Sequence, residues 1–152
     1  MRIYLKKYLI LVFTSIVIFC IDRYTKTAIL QLLYQENTQT FKVSSFLNFT
    51  EIWNKGISFG FLSNYNFPPV LFIGITMVIV ALILCLMKNV SSTLQGMIIG
   101  GAFGNTADRF LFGGVFDFID LHFYGWHYPA FNLADSFIIL SIILIMIKEI
   151  YL

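Results

Sequence analysis

Four uncharged, mostly apolar stretches of 12 to 18 residues leave this chain few folds to adopt. Tyr8 to Ile21 follows Lys7 without a charge, Val70 to Met87 stops at Lys88, Leu94 to Ala107 precedes Asp108, and Ser136 to Ile147 precedes Lys148. A helix rising 1.5 Å per residue needs roughly 20 mostly apolar residues to span the hydrocarbon core. Of the 152 residues 59% are hydrophobic and 12% charged, against about 25% charged in soluble domains. The chain is therefore expected to be a single membrane domain, an all-α protein with four transmembrane helices at about residues 8–30, 68–87, 94–112 and 130–148.

The connections carry their own signals. Arg2, Lys6 and Lys7 ahead of an apolar run resemble a secretory signal, but no small-residue cleavage site follows, so the segment is expected to be an uncleaved first span. Residues 35–65 mix polar and β-favouring side chains, and FKV, FLNFTEIW and ISFGF predict short strands in a small extracytoplasmic β-like cradle. Pro68 and Pro69 suit the start of the second helix, and Gly113 with Gly114 should end the third. Residues 114–129 are aromatic and amphipathic, and are expected to lie along the membrane surface as an interfacial helix. Gly96, Gly100 and Gly104 recur every four residues, the small-residue stripe that lets membrane helices approach closely. Cys20 and Cys85 sit in separate runs near opposite faces and are expected to be unpaired, buried apolar residues.

Four spans put both termini on one side. Arg2, Lys6, Lys7, Lys88 and Lys148 crowd the short segments there, so the positive-inside rule makes that side cytoplasmic. A net charge of +2 without a basic block gives no reason to expect nucleic acid. Of eight acidic residues only Glu149 falls at the cytoplasmic end; Asp22, Glu36, Glu51, Asp108, Asp117, Asp120 and Asp135 gather at or beyond the outer ends. A proton-coupled carrier would hold its carboxylate nearer mid-membrane, at broken helices. A scaffold without chemistry would gain little from polar faces on two separate helices.

Those faces are specific. Asn105 stacks with Asp108 and Arg109 on the third helix, and Asn132 with Asp135 and Ser136 on the fourth, at the three- and four-residue spacings that share a helical face. Asp117, in the joining segment, can fold back toward Asp135. Two carboxylates in a partly dry site tend to share a proton, so that one serves as base toward water and the other as acid. The alternative is that each aspartate caps a helix or pairs with Arg109 or Lys26. His122 and His127, five apart, do not align on an α-helix and no HExxH pattern accompanies them, so they read as interfacial aromatics and no metal site is expected. Ser136 and Ser58 have no histidine in a recognisable nucleophile motif.

IDRYTK (Ile21 to Lys26), NKGISFG (Asn54 to Gly60), GNTADR (Gly104 to Arg109), GGVFDF (Gly113 to Phe118) and PAFNLADS (Pro129 to Ser136) resemble, in order and spacing, the boxes of the bacterial lipoprotein signal peptidases, or signal peptidase II family. The resemblance implies a multi-pass aspartic endopeptidase of the bacterial inner membrane, active near its outer face. It would remove the signal peptide from diacylglyceryl-modified prolipoproteins just before the lipidated cysteine. Without metal-ligand spacing no cofactor is expected, and a monomer surrounded by membrane lipid is the expected working unit. The family's catalytic aspartates fall on Asp117 and Asp135, and its supporting residues on Asp22, Lys26, Asn54, Gly56, Asn105, Asp108, Arg109 and Asn132. Ser58 departs from the alanine more usual in its box.

Overall fold

Away from water an unpaired peptide group costs several kcal/mol, and a helix satisfies its groups within one segment. The apolar runs accordingly form helices in the computed structural model, which describes residues 2–56, 68–87 and 89–151. They are α1 (Arg2–Gln35), α2 (Pro69–Leu86), α3 (Ser92–Phe112) and α4 (Leu133–Tyr151). Proline at the first turn of α2 gives up no helical hydrogen bond. Gly113, in the left-handed region at φ 75°, ends α3 by donating its N–H to the Arg109 carbonyl. Among the described helices only α1 is both long and apolar enough to cross a membrane by length and composition alone, α2 being apolar but shorter. At 34 residues α1 is about 51 Å long. It outruns the expected 8–30 at both ends, and its last turns reach a sheet.

The glycine stripe sets how closely the helices pack. A Cβ at Gly96 would lie 2.7 Å from the Leu11 carbonyl oxygen, and one at Gly100 would lie 2.5 Å from that of Ser15, so α3 rests directly on the backbone of α1. Gly101, on another face, does the same against Ala134 of α4, at 2.8 Å. Leu11 meets Gly96 while Asp22 meets Gly104, so α1 and α3 run parallel. Ile83 of α2 and Ile145 of α4 join Leu11, Ile98 and Ile99 in one cluster, whereas Thr76 and Asp135 meet Thr106 and Asn105 near the other end of α3. Thus α2 and α4 run opposite to α1 and α3. Both chain ends lie at one end of the bundle and the polar residues at the other.

At that polar end stands a four-stranded antiparallel sheet in the order β1 (Thr40–Lys42), β2 (Leu47–Asn54), β3 (Val115–Phe123), β4 (Trp126–His127). FKV and FLNFTEIW fall in β1 and β2 as expected; ISFGF lies outside the described residues. The expectation of an interfacial helix over 114–129 is corrected: this segment supplies β3 and β4. Val115 to Phe123 is rich in β-branched and aromatic residues, which suit a pleated surface. Its backbone also pairs along β2 from Leu47↔Leu121 to Asn54↔Val115. That pairing outweighs the helical appearance given by two aspartates three apart. The fold is thus mostly helical with a small sheet rather than all-α.

Leu33, Phe116 and Phe118 form the sheet's core, with Ile29, Phe49, Trp53 and Leu133 packed around them. This anchors the end of α1 to β3 by burial of large side chains, worth about 3–5 kcal/mol for a core phenylalanine. Cys20 and Cys85 are unpaired as expected, but both are exposed rather than buried. The helices also expose Leu9, Phe13 and Ile16 on α1, Val70, Met77 and Val78 on α2, and Ile139, Ile143 and Met146 on α4. So much apolar surface is foreign to a water-facing bundle.

Candidate active site

The polar residues collect where the upper ends of α1, α3 and α4 meet β2 and β3. Asn132 precedes α4 and accepts the Asp135 N–H on Oδ1 at 3.0 Å, while Asp135 Oδ2 accepts the Asn132 N–H at 3.3 Å. This reciprocal capping box satisfies two otherwise orphaned donors and fixes both side chains at the first turn. The capping role considered for Asp135 is therefore present. It occupies only one carboxylate oxygen, and Oδ1 accepts Asn105 Nδ2 at 2.7 Å.

Asn132 also bridges to the other aspartate. Its Nδ2 donates to Asp117 Oδ1 at 2.7 Å and to Asn105 Oδ1 at 3.1 Å. Asn54 Nδ2, from the end of β2, donates to Asp117 Oδ2 at 3.1 Å. Asn54 Oδ1 in turn accepts the Gly56 N–H at 3.0 Å, and the Gly56 carbonyl accepts Arg109 Nη2 at 3.0 Å. Arg109 lies over the Phe72 ring, 4.5 Å from its centroid, which ties α2 to the same corner.

Beneath lies a buried ion cluster of two anions and two cations. Lys26 Nζ contacts Asp22 Oδ2 at 2.9 Å and Asp108 Oδ2 at 2.7 Å, while Arg23 contacts Asp108 Oδ1 at 2.6 Å and Asp22 Oδ2 at 3.1 Å. Asp22 accepts the Ala134 N–H of α4 and Asp108 the Phe116 N–H of β3, so the cluster joins three helices and the sheet. Interleaved charges remove the cost of an unpaired buried ion, about 3–5 kcal/mol if one partner were lost.

Lys26 also sets the amides above it. An ammonium only donates, so Asn105 must present its oxygen to Lys26 Nζ, 3.2 Å away, and its NH2 to Asp135. The oxygen then also accepts from Asn132, whose second amide hydrogen is aimed at Asp117. Both carboxylates receive amide donors whose direction is fixed by a buried cation.

Asp117 is almost wholly buried. Burial first, and the neighbouring Asp135 second, push its pKa from 3.8 up to about 7, against the lowering effect of Asn54, Asn132 and Lys26. A carboxyl poised near neutrality beside a second carboxylate can hold and release one proton at working pH.

All ten residues singled out from the sequence, Asp22, Lys26, Asn54, Gly56, Asn105, Asp108, Arg109, Asp117, Asn132 and Asp135, belong to this one network. Arg23 was missed; its signal was a cation next to Asp22 inside an apolar helix. Asp120, three residues beyond Asp117 on β3, lies outside this network. It is buried, accepts Asn48 Nδ2 at 3.0 Å and contacts His127 Nδ1 at 2.7 Å. Burial pushes its pKa up, but the contacts with His127 and Asn48 prevail and hold it below the ordinary carboxylate value.

This helical bundle, with apolar outer faces and a buried carboxylate network under a small sheet, is similar to solved structures described as a bacterial membrane enzyme. One solved structure so described, determined in meso at 2.3 Å resolution, matches with a TM-score of 0.70 and 32% identity over 95% of this chain and 87% of that one. Another, at 1.9 Å, matches with a TM-score of 0.67 and 32% identity, covering 96% and 93%. The family model described as signal peptidase (SPase) II matches residues 14–151. The lipoprotein signal peptidase of Pelagibacter ubique is 39% identical across 99% of this chain and 93% of its own length, and that of Anaplasma phagocytophilum 42% identical across 70% and 71%. The chain belongs to the signal peptidase II family.

Proposed function

We propose that the protein is a membrane aspartic endopeptidase that cleaves the signal peptide from diacylglyceryl-modified prolipoproteins just before the lipidated cysteine. The observation that carries this reading is a pair of carboxylates, buried Asp117 and partly buried Asp135, bridged by Asn132, with burial pushing the Asp117 pKa up to about 7. One carboxylate takes a proton from water as it attacks the scissile carbonyl, while the other, protonated, gives its proton to the developing oxyanion; the first then passes the water-derived proton to the leaving amine, and the second recovers a proton from the diol hydroxyl as the C–N bond breaks. Asn54, Asn105 and Asn132 hold the carboxylates in place. The Asp22, Arg23, Lys26 and Asp108 cluster fixes that frame from below, and Arg109 holds the turn at Gly56. Two carboxylates and water suffice for this step, and no cofactor enters it.

The membrane arrangement in this reading has α1 to α4 as four spans, the termini cytoplasmic, and the sheet at the outer face of the bacterial inner membrane. It is supported by the apolar faces of the helices and by the position of the dyad at the bundle end away from both termini. A signal helix lying in the bilayer, with its cysteine held by lipid at the outer leaflet, would bring its scissile bond to that depth. Lipidated prolipoproteins are then the partners, the surrounding lipid the solvent, and a monomer the working unit.

Incubation of the purified protein with lipidated and non-lipidated precursors, followed by mass measurement of the products, tests the reading. Cleavage of the lipidated precursor immediately before the modified cysteine is expected. Cleavage elsewhere, or equal cleavage of both precursors, would overturn it.

A further inference from the structure

The chain has two histidines. In the fold they are a cross-strand pair, His122 of β3 opposite His127 of β4, with rings nearly parallel at 15° and centroids 5.2 Å apart. The register is set by a two-residue turn, Tyr124 and Gly125, both with positive φ at 48° and 82°, the geometry that matches the twist of a tight hairpin. Asp120 stands two residues before His122, on the same face of β3. Asn48, its partner across β2, donates to Asp120 Oδ2 at 3.0 Å and reaches within 3.4 Å of His122 Nδ1.

We propose that Asp120, His122 and His127 form a binding site for a divalent transition-metal ion of the Zn2+ class, at the hairpin end of the sheet. One donor atom from each residue lies within 4.8 Å of the other two. In a tetrahedral zinc site, with bonds of about 2.0–2.1 Å, donors stand about 3.3 Å apart. His127 Nδ1 and Asp120 Oδ1 stand at 2.7 Å, a hydrogen-bond distance, and would open by about 0.6 Å to admit an ion; His127 is half-exposed, so side-chain torsions can make that adjustment. Two imidazoles and one carboxylate are a set that Zn2+, Ni2+ or Cu2+ takes in preference to Ca2+ or Mg2+. The buried Asp120 is held by Asn48, as a carboxylate ligand is commonly held by a hydrogen-bonding neighbour. A fourth position is left to water.

The site is separate from the dyad. Asp117 and Asp120 are an odd number of residues apart on a regular strand and therefore face opposite ways; their partners, Asn54 and Asn132 for one and Asn48 and His127 for the other, do not overlap. An ion here would tie the two-residue strand β4 to β3 and fix the hairpin tip, where Phe123, Tyr124 and Trp126 are exposed. The inference is independent of the peptidase reading.

Zn2+ titration of the full chain without a polyhistidine tag, in detergent, tests it, with X-ray absorption at the zinc edge to count imidazole ligands. The expected result is one saturable ion per chain with two imidazoles. His122→Gln and His127→Gln should each weaken binding by about 10- to 100-fold. Since the chain offers no other histidine, a bound ion without imidazole ligands overturns the proposal even if a variant fails to fold. So does absence of saturable binding below about 0.1 mM, a free energy of only about 5.5 kcal/mol, or affinity unchanged in both variants.

Discussion

Replacing Asp117 by Asn should cost activity and, at alkaline pH, return stability. In the unfolded chain this carboxyl titrates near 3.8, and in the fold near 7. Between those values the folded state keeps a proton that the unfolded state has lost, so stability falls as pH rises through the window and levels off above about 7. Each tenfold change in proton affinity is worth about 1.36 kcal/mol, which makes the full loss about 4 kcal/mol. The Asn variant has no proton to lose there. It has a different defect: two amide donors, Asn54 Nδ2 and Asn132 Nδ2, point at the two oxygens of Asp117, and an amide offers only one acceptor. Misdirecting one donor costs about 1–3 kcal/mol at any pH.

Asp117→Asn should therefore be less stable than the parent at pH 5, and level with it or more stable at pH 8, while turnover falls by orders of magnitude at both. Thermal melts in detergent at the two pH values, beside turnover of a lipidated precursor, measure this. A stability difference that stays constant across the range would show that burial and Asp135 do not hold the proton on Asp117. The parent's own turnover should decline above about pH 7, where that proton is lost. An active, folded Asp117→Asn enzyme would remove the dyad.

Gly100→Ala would place a methyl 2.5 Å from the Ser15 carbonyl oxygen, and should lower melting stability by about 1–3 kcal/mol, with Gly100→Leu worse and folded yield reduced. Asp108→Asn leaves Arg23 and Lys26 facing one carboxylate instead of two, and should cost about 3 kcal/mol in denaturation assays before any effect on chemistry. Asn132→Ala removes the α4 cap and the bridge between the aspartates, so a stability loss of about 1–2 kcal/mol should accompany a fall in turnover. Cysteine labelling from each side of the membrane should find both termini cytoplasmic, and a C-terminal label reached only from outside would overturn the topology.

The helices were legible because lipid imposes one demand, internal pairing of every peptide group, that a charge-free run announces. Much of the candidate site was legible for a related reason: polar residues are costly among apolar ones, and the three- and four-residue spacings from Asn105 to Arg109 and from Asn132 to Ser136 survive folding unchanged. Residues 114–129 were misread because the sequence carries both periods. Asp117 and Asp120 are three apart, as on a helix, while Phe116 and Phe118 flank Asp117 at the two-residue spacing of one strand face. The tie is broken by β2, more than 60 residues earlier in the chain, whose Asn48 pairs with Asp120. No local pattern contains that partner. The histidines were lost by the same error: five apart is the wrong interval for a helix face, but it is the interval that a two-residue turn places directly across a hairpin.

Strand geometry then explains why this segment serves the site better than a helix would. Alternation sends Asp117 toward Asn54 and Asn132, while Phe116 and Phe118 enter the core with Leu33. A slip of one residue between β2 and β3 would exchange these faces, burying a carboxylate among aromatic rings and removing it from Asp135. The register is therefore under strong selection by energy alone. It is held at one end by Phe116 and Trp53, whose ring centroids are 5.3 Å apart, and at the other by Asn48 on Asp120. Between them β2 carries one extra residue, between Phe49 and Ile52, that β3 does not match. Without that bulge Asn54 would fall out of step with Asp117, so an irregularity in the sheet is what lets a strand shaped by its hydrophobic face also deliver an amide to the carboxylate proposed to carry the proton.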